Sequence, residues 1–528
     1  MKGRVDEVSA RTWWTVAAAV AAVLVAPLFT VEIPPLLDYP NHLARRFVLA
    51  RGAADPFLSR VYGQHWSVIP NIAIDLVMPP MLALMRLQVA GKIMLALMLL
   101  LPLAGTAAYS RVALRRRSLW PLGAGLVAYN FTFMLGFMNF LIGVGVALLA
   151  AAWWMHARET RPRSTVLGMA VLALLLFFVH IFAALLLGLL ILCQELVAVA
   201  RDGPIRRVWW RNAALRALAA LAVFAVPIAL YFASPLAEVD EPPFYVWRNV
   251  KAYWLFGPVL NYNDRLDIGT GVAILLVVLV CLVARRAVLS APAALAGIVL
   301  LALYPWTPAV MKAVAYIDVR LPVMAAFLLF AGFAPSGWPR LAQRMLAIAA
   351  AALFVVRIGV LTQVWHGQTA DLAAFRAVIA HVEPGSRVLV AVAEPEMNPG
   401  YWAAMPRHRT TPSITRTQEH LPALLLTERS AIWPLLFTVA TTQPVFVRPA
   451  FRDVTQDSGM VADYTWLHWD TPPLRRIRDV AYLREWPSKY DYVLVMPAGG
   501  IADPAAIRPD KLRLVVRSDV AALLKVVH

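Results

Sequence analysis

The chain has 528 residues, of which 60% are hydrophobic and 15% charged, and its formal net charge is +18. A soluble domain is about 45–50% apolar, so this composition excludes an ordinary soluble globule. The arginines and lysines cluster between apolar runs, which is typical of cytoplasmic loops rather than of nucleic-acid binding. Two cysteines, Cys193 and Cys281, lie inside apolar runs, which argues against a disulfide framework and a structural zinc site.

The apolar runs predict a polytopic membrane protein, because a bilayer core takes about 20 apolar residues per helix. The runs span residues 13–31, 68–85, 93–114, 119–134, 137–155, 165–179, 181–200, 213–232, 268–284, 287–304, 321–333 and 345–361. The first run lacks a small-residue cleavage site and is interpreted as a retained signal anchor. We expect about 11 to 13 transmembrane helices, an odd number if the tail lies outside.

Orientation is predicted from the basic residues, which favour the cytoplasmic side. The basic segment 2–11 places the N-terminus inside, and later basic clusters place loops 32–67 and 233–267 and the tail outside. The cluster Arg115–Arg117 breaks this parity, because two full spans before it would put it outside. Either the proline-containing run 68–85 does not cross, or this loop violates the rule; both alternatives stay open.

The tail has a different texture from the rest of the chain. Short β-type runs at 388–392, 493–496 and 512–516 are separated by proline, glycine and charged turns, and 370–382 has helical spacing. This alternation predicts a small α/β domain. The predicted organisation is a transmembrane bundle over residues 1–366, with outer loops 32–67 and 233–267, and a soluble extracytoplasmic α/β domain over residues 367–528.

The first outer loop holds the most informative polar segment. Pro40 fits the first turn of a helix, where its missing N–H costs nothing. Asp38 then lies at the edge of that helix, and His42 about one turn further on, so that a carboxylate and an imidazole share one face. The alternative is that Asp38 merely caps a surface helix; the spacing favours neither.

The layout of the chain resembles the GT-C membrane glycosyltransferases. That superfamily includes the protein O-mannosyltransferases, the aminoarabinose transferases of lipid A and the oligosaccharyltransferases. Segment 38–43 is similar to their acidic loop motif, and segments 384–389 and 490–495 resemble the outer domains of bacterial members. The common Asp-Glu or Asp-Asp pair is absent, since Tyr39 follows Asp38, and this departure suggests a metal-independent member.

The resemblance implies a transferase that moves a sugar from a polyprenyl-phosphate carrier to an extracytoplasmic lipid, glycan or protein. It would be an inverting hexosyl- or pentosyltransferase. Asp38 would be the general base that takes the acceptor proton, and His42 would position the acceptor or share that proton. No cofactor and no metal ligand are predicted, because the lipid-linked sugar is a substrate.

Other polar residues are candidates for holding the two substrates. A leaving phosphate needs fixed cations, and the candidates are Arg320, Arg248 and Lys251. The candidates for substrate binding are Asn41, Tyr245, Trp247, His180 and Asp264. For the arginines and aromatic residues the alternative is anchoring at the membrane interface, and for His180 it is helix packing.

Two other functions fit the composition. One is a transporter or flippase of lipid-linked glycans, although transporters usually contain internal repeats and the sequence shows none. The other is a non-catalytic assembly protein whose tail binds a partner. The predicted location is the bacterial inner membrane, multi-pass, with the tail on the periplasmic side. The expected partners are the bilayer, a polyprenyl-phosphate sugar and an acceptor of the cell envelope, but no nucleic acid.

Overall fold

The computed structural model of the chain describes residues 7–201, 207–312, 314–393, 406–410, 416–457, 461–472, 481–499 and 501–527. Lys2, Arg4 and Arg206 of the basic clusters lie outside these residues. The chain divides into two compact units. The bundle unit comprises Met1–Phe29, Val68–Ile74 and Lys92–Thr362, and the tail unit comprises Thr30–Ser67, Asp75–Gly91 and Gln363–His528.

Long apolar helices confirm the prediction of a polytopic helical membrane protein. Among the described residues, eight helices are long and apolar enough to cross a membrane: Ala10–Phe29, Leu87–Leu114, Met138–Ala157, Pro162–Val179, Ile181–Arg201, Trp210–Phe232, Asp264–Val283 and Arg340–Ile379. Two shorter apolar helices are Ala291–Trp306 and Arg320–Gly332.

The predicted span over residues 68–85 is wrong as a continuous helix. The helix found there, Ala73–Met81, has 9 residues and contains Pro79 and Pro80. At 1.5 Å per residue it is about 14 Å long, less than half of the hydrocarbon core of about 30 Å. Proline cannot donate a helical hydrogen bond, which explains why the apolar run does not extend into a longer helix.

The run 119–134, predicted as a span, forms no long α-helix. It contains the 3₁₀ helix Trp120–Val127 and the short helix Phe131–Met134. Trp13 Nε1 donates to Ser118 O at 3.0 Å, and Tyr129 Oη donates to Leu24 O at 2.8 Å. The run therefore lies beside the first helix from Trp13 to Leu24. A 3₁₀ helix rises about 2.0 Å per residue, so it covers a given length with fewer residues than an α-helix.

Arginine-rich segments meet at one end of the bundle unit. Val8 N donates to Arg117 O at 3.3 Å. Arg116 Nη1 donates to Ser336 Oγ at 3.1 Å, and Ser336 N donates to Arg286 O at 2.9 Å. The N-terminal segment and the 115–117 cluster thus lie at the same end, as the positive-inside rule requires. Both segments can lie at one end only if run 68–85 does not cross the membrane. The structure therefore supports the alternative in which this run does not cross.

Short elements connect the helices of the bundle unit. They are the 3₁₀ helix Pro235–Glu238, the helix Arg248–Trp254, and the strand pairs Ala287–Leu289 with Phe333–Pro335 and Val310–Met311 with Val314–Ala315. The structure describes eight helices long and apolar enough to cross a membrane, and the number of 11 to 13 spans stays a prediction.

A mixed sheet forms the core of the tail unit. Its strand order is Leu512–Arg517, Ala522–Val526, Tyr492–Met496, Val388–Val392 and Ala462–Asp463. Val388–Val392 runs parallel to Tyr492–Met496, and the two strands are almost fully buried. The predicted strands of the tail are confirmed. The predicted helix 370–382 is instead the end of the 40-residue helix Arg340–Ile379, because no proline interrupts that stretch.

Loop 32–67 folds with the C-terminal residues. It contains helices Tyr39–Arg51 and Pro56–Val61, followed by strand Tyr62–Gln64, which pairs antiparallel with Val445–Val447. The tail unit also contains helix Leu424–Arg429, which follows strand Val388–Val392 in the chain, and helix Trp486–Lys489, which precedes strand Tyr492–Met496. The predicted domain boundary between residues 366 and 367 stays a prediction.

Candidate functional site

Asp38 lies at the start of the loop helix Tyr39–Arg51, as predicted from Pro40. It occupies the N-cap position, but its side chain makes no capping hydrogen bond. Instead, its Oδ1 lies 3.2 Å from Nδ1 of His420, and 16% of the Asp38 side chain is exposed. The capping alternative therefore does not describe this residue. Asp38 is a carboxylate held by a tertiary contact and still accessible.

His420 is the partner that the sequence did not reveal. Its side chain is 10% exposed, and its ring packs edge-on against Phe437 and Trp433, with centroids 5.1 and 5.8 Å away. Burial lowers the pKa of His420, but hydrogen bonding to Asp38 and the charges of Asp38 and Glu419 outweigh it, so that the pKa is raised above 6.5. The pair therefore favours a protonated imidazole beside a carboxylate. No local motif marks His420, and only the fold brings it to Asp38.

His42 packs on the same phenylalanine but in the opposite electrostatic setting. Its ring centroid is 5.3 Å from that of Phe437. Burial and then the charges of Arg46, Arg45 and His420 lower the pKa of His42 well below 6.5. Its buried Nδ1 has no hydrogen-bond partner among the described residues. His42 is therefore neutral at neutral pH, and the histidine that forms an ion pair with Asp38 is His420.

A buried ion cluster anchors the loop helix. Arg45 binds Asp75 through Nε at 3.1 Å and through Nη2 at 2.8 and 2.9 Å. Arg46 Nε lies 3.4 Å from the same carboxylate, and the three side chains are at most 2% exposed. Burial lowers the pKa of Arg46 to about 10, against the opposing effect of Asp75. Two arginines share one carboxylate, which leaves an excess of positive charge beside His42.

Asn41 holds the segment that carries Phe437. Its Nδ2 donates to Leu435 O at 2.9 Å, and its Oδ1 accepts from Phe437 N at 2.9 Å. The residue is fully buried. Both ends of the amide are thus used by backbone groups, which favours a structural role over the predicted role in substrate binding.

We expect Asn41→Ala to lower the free energy of unfolding by about 1–3 kcal/mol, because two buried backbone groups lose their partner. Thermal unfolding of the purified protein in lipid nanodiscs measures this change. Asn249→Ala, at an exposed position, is the matched control and should leave the unfolding temperature unchanged. Equal unfolding temperatures for the two variants would contradict the structural role of Asn41.

Arg320 and His180 meet in the bundle unit. Arg320 is 4% exposed, and its Nη1 lies 3.4 Å from His180 Nε2. Its guanidinium carbon lies 4.8, 5.6 and 5.1 Å from the ring centroids of Phe137, Phe140 and Phe182. Aromatic faces stabilise a cation at such distances. The structure thus brings together two of the predicted site residues around an enclosed guanidinium.

Lys251 is engaged by the loop that precedes Arg320. Its Nζ donates to Tyr304 O at 3.2 Å and to Thr307 O, and lies 3.5 Å from Asp318 Oδ2. Burial raises the pKa of Asp318, and the charge of Lys251 opposes this effect. These contacts favour a structural role for Lys251 over the predicted contact with a donor phosphate.

The remaining predicted residues lie at more exposed positions. Tyr245 is 52% and Trp247 83% exposed. Arg248 and Asp264 are also exposed, and Asp264 Oδ1 accepts a hydrogen bond from Tyr253 Oη at 2.5 Å. Within the described residues, no group of three or more His, Cys, Asp or Glu side chains is arranged to hold a metal ion.

The fold places the chain among polytopic helical membrane proteins with a C-terminal domain. A solved structure with this fold is that of ArnT from Cupriavidus metallidurans bound to undecaprenyl phosphate. The TM-score is 0.50, the match covers 98% of each chain, and the sequence identity is 14%. No protein-family model matches the chain. No curated protein matches it either.

Proposed function

We propose that the chain is a membrane glycosyltransferase that moves a sugar from a polyprenyl-phosphate donor to a hydroxyl group of an extracytoplasmic acceptor. One observation carries the proposal: the Asp38 carboxylate makes no capping bond, is 16% exposed, and lies 3.2 Å from a buried imidazole. A general base needs this combination of a fixed position and access. The GT-C-like fold, shared with a protein that binds undecaprenyl phosphate, supports the choice of donor.

The proposed reaction is a single inverting displacement. The acceptor oxygen forms a bond to the anomeric carbon, the bond from that carbon to the phosphate oxygen breaks, and its electron pair leaves with the phosphate. Asp38 takes the proton of the acceptor hydroxyl. The products are the glycosylated acceptor and polyprenyl phosphate. Because one carboxylate performs the proton transfer, the proposal requires no metal ion.

Arg320 is the proposed ligand of the donor phosphate. Its enclosed guanidinium is a fixed cation, and guanidinium groups bind phosphates with two hydrogen bonds. His180 lies 3.4 Å from it and would bind the same group. The exposed Arg248 remains a second candidate for the phosphate, whereas Lys251 is assigned to holding its loop.

The acceptor and the sugar are assigned to the remaining residues. Neutral His42 would position the acceptor, since its lowered pKa makes it a poor carrier of the reaction's proton. Tyr245, Trp247 and Asp264 would contact sugar hydroxyls and ring faces from the open loops. A location in a bacterial inner membrane, with the tail unit on the periplasmic side, belongs to the same proposal.

A donor panel tests the reaction class. Purified protein in nanodiscs would receive radiolabelled polyprenyl-phosphate sugars with an envelope lipid extract as acceptor, and release of polyprenyl phosphate would be followed. We expect release with one donor, its loss in Asp38→Asn, and its persistence in Asp240→Asn, which changes an exposed carboxylate. Movement of an intact donor across the bilayer without release would favour the flippase alternative.

We expect Arg320→Gln to weaken binding of the lipid phosphate about 10- to 100-fold, the effect of losing a charge-assisted hydrogen bond. Binding of radiolabelled undecaprenyl phosphate to the protein in nanodiscs measures it. Arg265→Gln removes an exposed arginine and controls for non-specific charge effects. Equal affinities of Arg320→Gln and the unchanged protein would remove Arg320 from the proposed site.

A further inference from the structure

Two histidines pack on Phe437 and have opposite surroundings. His420 faces the carboxylate of Asp38 at 3.2 Å and follows Glu419 in the chain. His42 lies in the loop helix beside Arg45 and Arg46, and Arg46 Nη1 donates to His42 O at 2.9 Å. One imidazole is thus surrounded by negative charge and the other by positive charge. When the surroundings of two neighbouring titratable groups move their pKa values apart, the groups have different roles in proton transfer.

We propose that Asp38 and His420 form a catalytic dyad in which His420 positions the base. Nδ1 of His420 lies 3.2 Å from Oδ1 of Asp38, and in the proposed dyad this ion pair leaves Oδ2 for the acceptor hydroxyl. This inference rests on the proposed transferase function and gives the proton-transfer step a second residue. His42 lies outside the dyad.

The packing around His420 explains how it would fix the carboxylate. Phe437 and Trp433 enclose its ring, and Asn41 holds the Phe437 backbone to the same helix that begins after Asp38. The imidazole and the carboxylate are therefore both held in position by the loop helix Tyr39–Arg51. Because Asp38 makes no capping bond, the contact with His420 is what orients its oxygens. A catalytic group held within about 0.5 Å needs such support from residues behind it.

The dyad makes the reaction depend on the charge of His420. While the acceptor proton moves to Oδ2 of Asp38, the Nδ1 proton of His420 stays in place in both charge states. A protonated His420 lowers the basicity of Asp38, whereas a neutral His420 still donates through Nδ1–H and leaves the carboxylate more basic. The transfer rate should therefore rise as the pH rises through the pKa of His420. The titratable groups facing this imidazole are Asp38, Glu419 and His42, and the last is already neutral there.

Enzyme kinetics on three histidine variants test the dyad. His420→Ala should lower kcat about 10- to 100-fold, because Asp38 loses the ion-pair partner that fixes its position. His420→Asn keeps an N–H donor at the δ position but cannot titrate. It should retain most of the activity. It should also lose the increase of kcat with pH, which we expect to be about 3- to 10-fold in the unchanged protein. His381→Asn, at an exposed histidine, should behave like the unchanged protein. A pH profile that His420→Asn leaves unaltered would overturn the inference.

A second measurement does not depend on transfer activity. Histidine titration by NMR, with the His420 signal identified by its absence in His420→Asn, should show a pKa above 6.5 that falls in Asp38→Asn, since only the charge of Glu419 then opposes burial. If the pKa of His420 is the same in Asp38→Asn, the dyad is overturned but the proposed transferase function is not. A coupled pair without Asp38-dependent transfer from any donor overturns the proposed function itself.

Discussion

Replacing Asp38 by asparagine is expected to slow sugar transfer about 10²- to 10⁴-fold, the usual contribution of a general base. Asparagine has nearly the volume of aspartate but cannot accept the acceptor proton. No helix cap is lost, because the Asp38 side chain makes no capping bond, so the fold should remain intact. Single-turnover transfer from the donor identified in the panel measures the chemical step directly.

Asp38→Glu separates the charge of the carboxylate from its position. The added methylene moves the carboxylate away from the 3.2 Å contact with His420, and a shift of about 1 Å can cost about 10²-fold. We expect a rate between those of the unchanged protein and Asp38→Asn. If Asp38→Asn transferred sugar at a rate within about threefold of the unchanged protein, no general-base role could be kept for this residue.

The second large effect concerns the buried ion cluster. Asp75→Ala should lower the free energy of unfolding by about 3–5 kcal/mol, the usual result of removing one partner of a buried ion pair. Arg45 and Arg46 would both stay buried without their shared carboxylate. Unfolding by denaturant, followed by tryptophan fluorescence to which the buried Trp433 and Trp486 contribute, measures the change.

The control for Asp75 replaces the whole cluster. In the triple variant Arg45→Met, Arg46→Met, Asp75→Leu, no buried charge remains, and such replacements are often neutral or stabilising. We expect this variant to recover most of the stability lost in Asp75→Ala. Normal stability of Asp75→Ala by itself would show that the arginines find another partner, and the cluster would no longer explain how the loop helix is held.

Local signals predicted those elements that local physics controls. Pro40 marked the start of the loop helix because its ring suits the first turn, and short β-branched runs marked the strands Val388–Val392 and Tyr492–Met496. The run 119–134 was predicted as a span but not as a 3₁₀ helix, because hydropathy does not report helix type. The run 68–85 was apolar enough to mislead, and its prolines decided the outcome.

Only the residues that loop 32–67 contributes to the candidate site could be predicted from the sequence. Asp38 and His42 could be found because they lie one turn apart beside a proline. His420 could not be found, because nothing around it in sequence signals a partner in the first loop. Asn41 was predicted to bind substrate, but backbone groups of residues 435 and 437 use both ends of its amide. Such long-range pairings follow from tertiary packing, which no spacing rule encodes.

The proposed mechanism requires Asp38 to act in the chemical step and not in folding or binding. The direct test measures donor binding and release of polyprenyl phosphate in the same nanodisc samples of the unchanged protein and Asp38→Asn. We predict equal donor affinity and release by the unchanged protein alone. Equal release by both proteins would contradict the account.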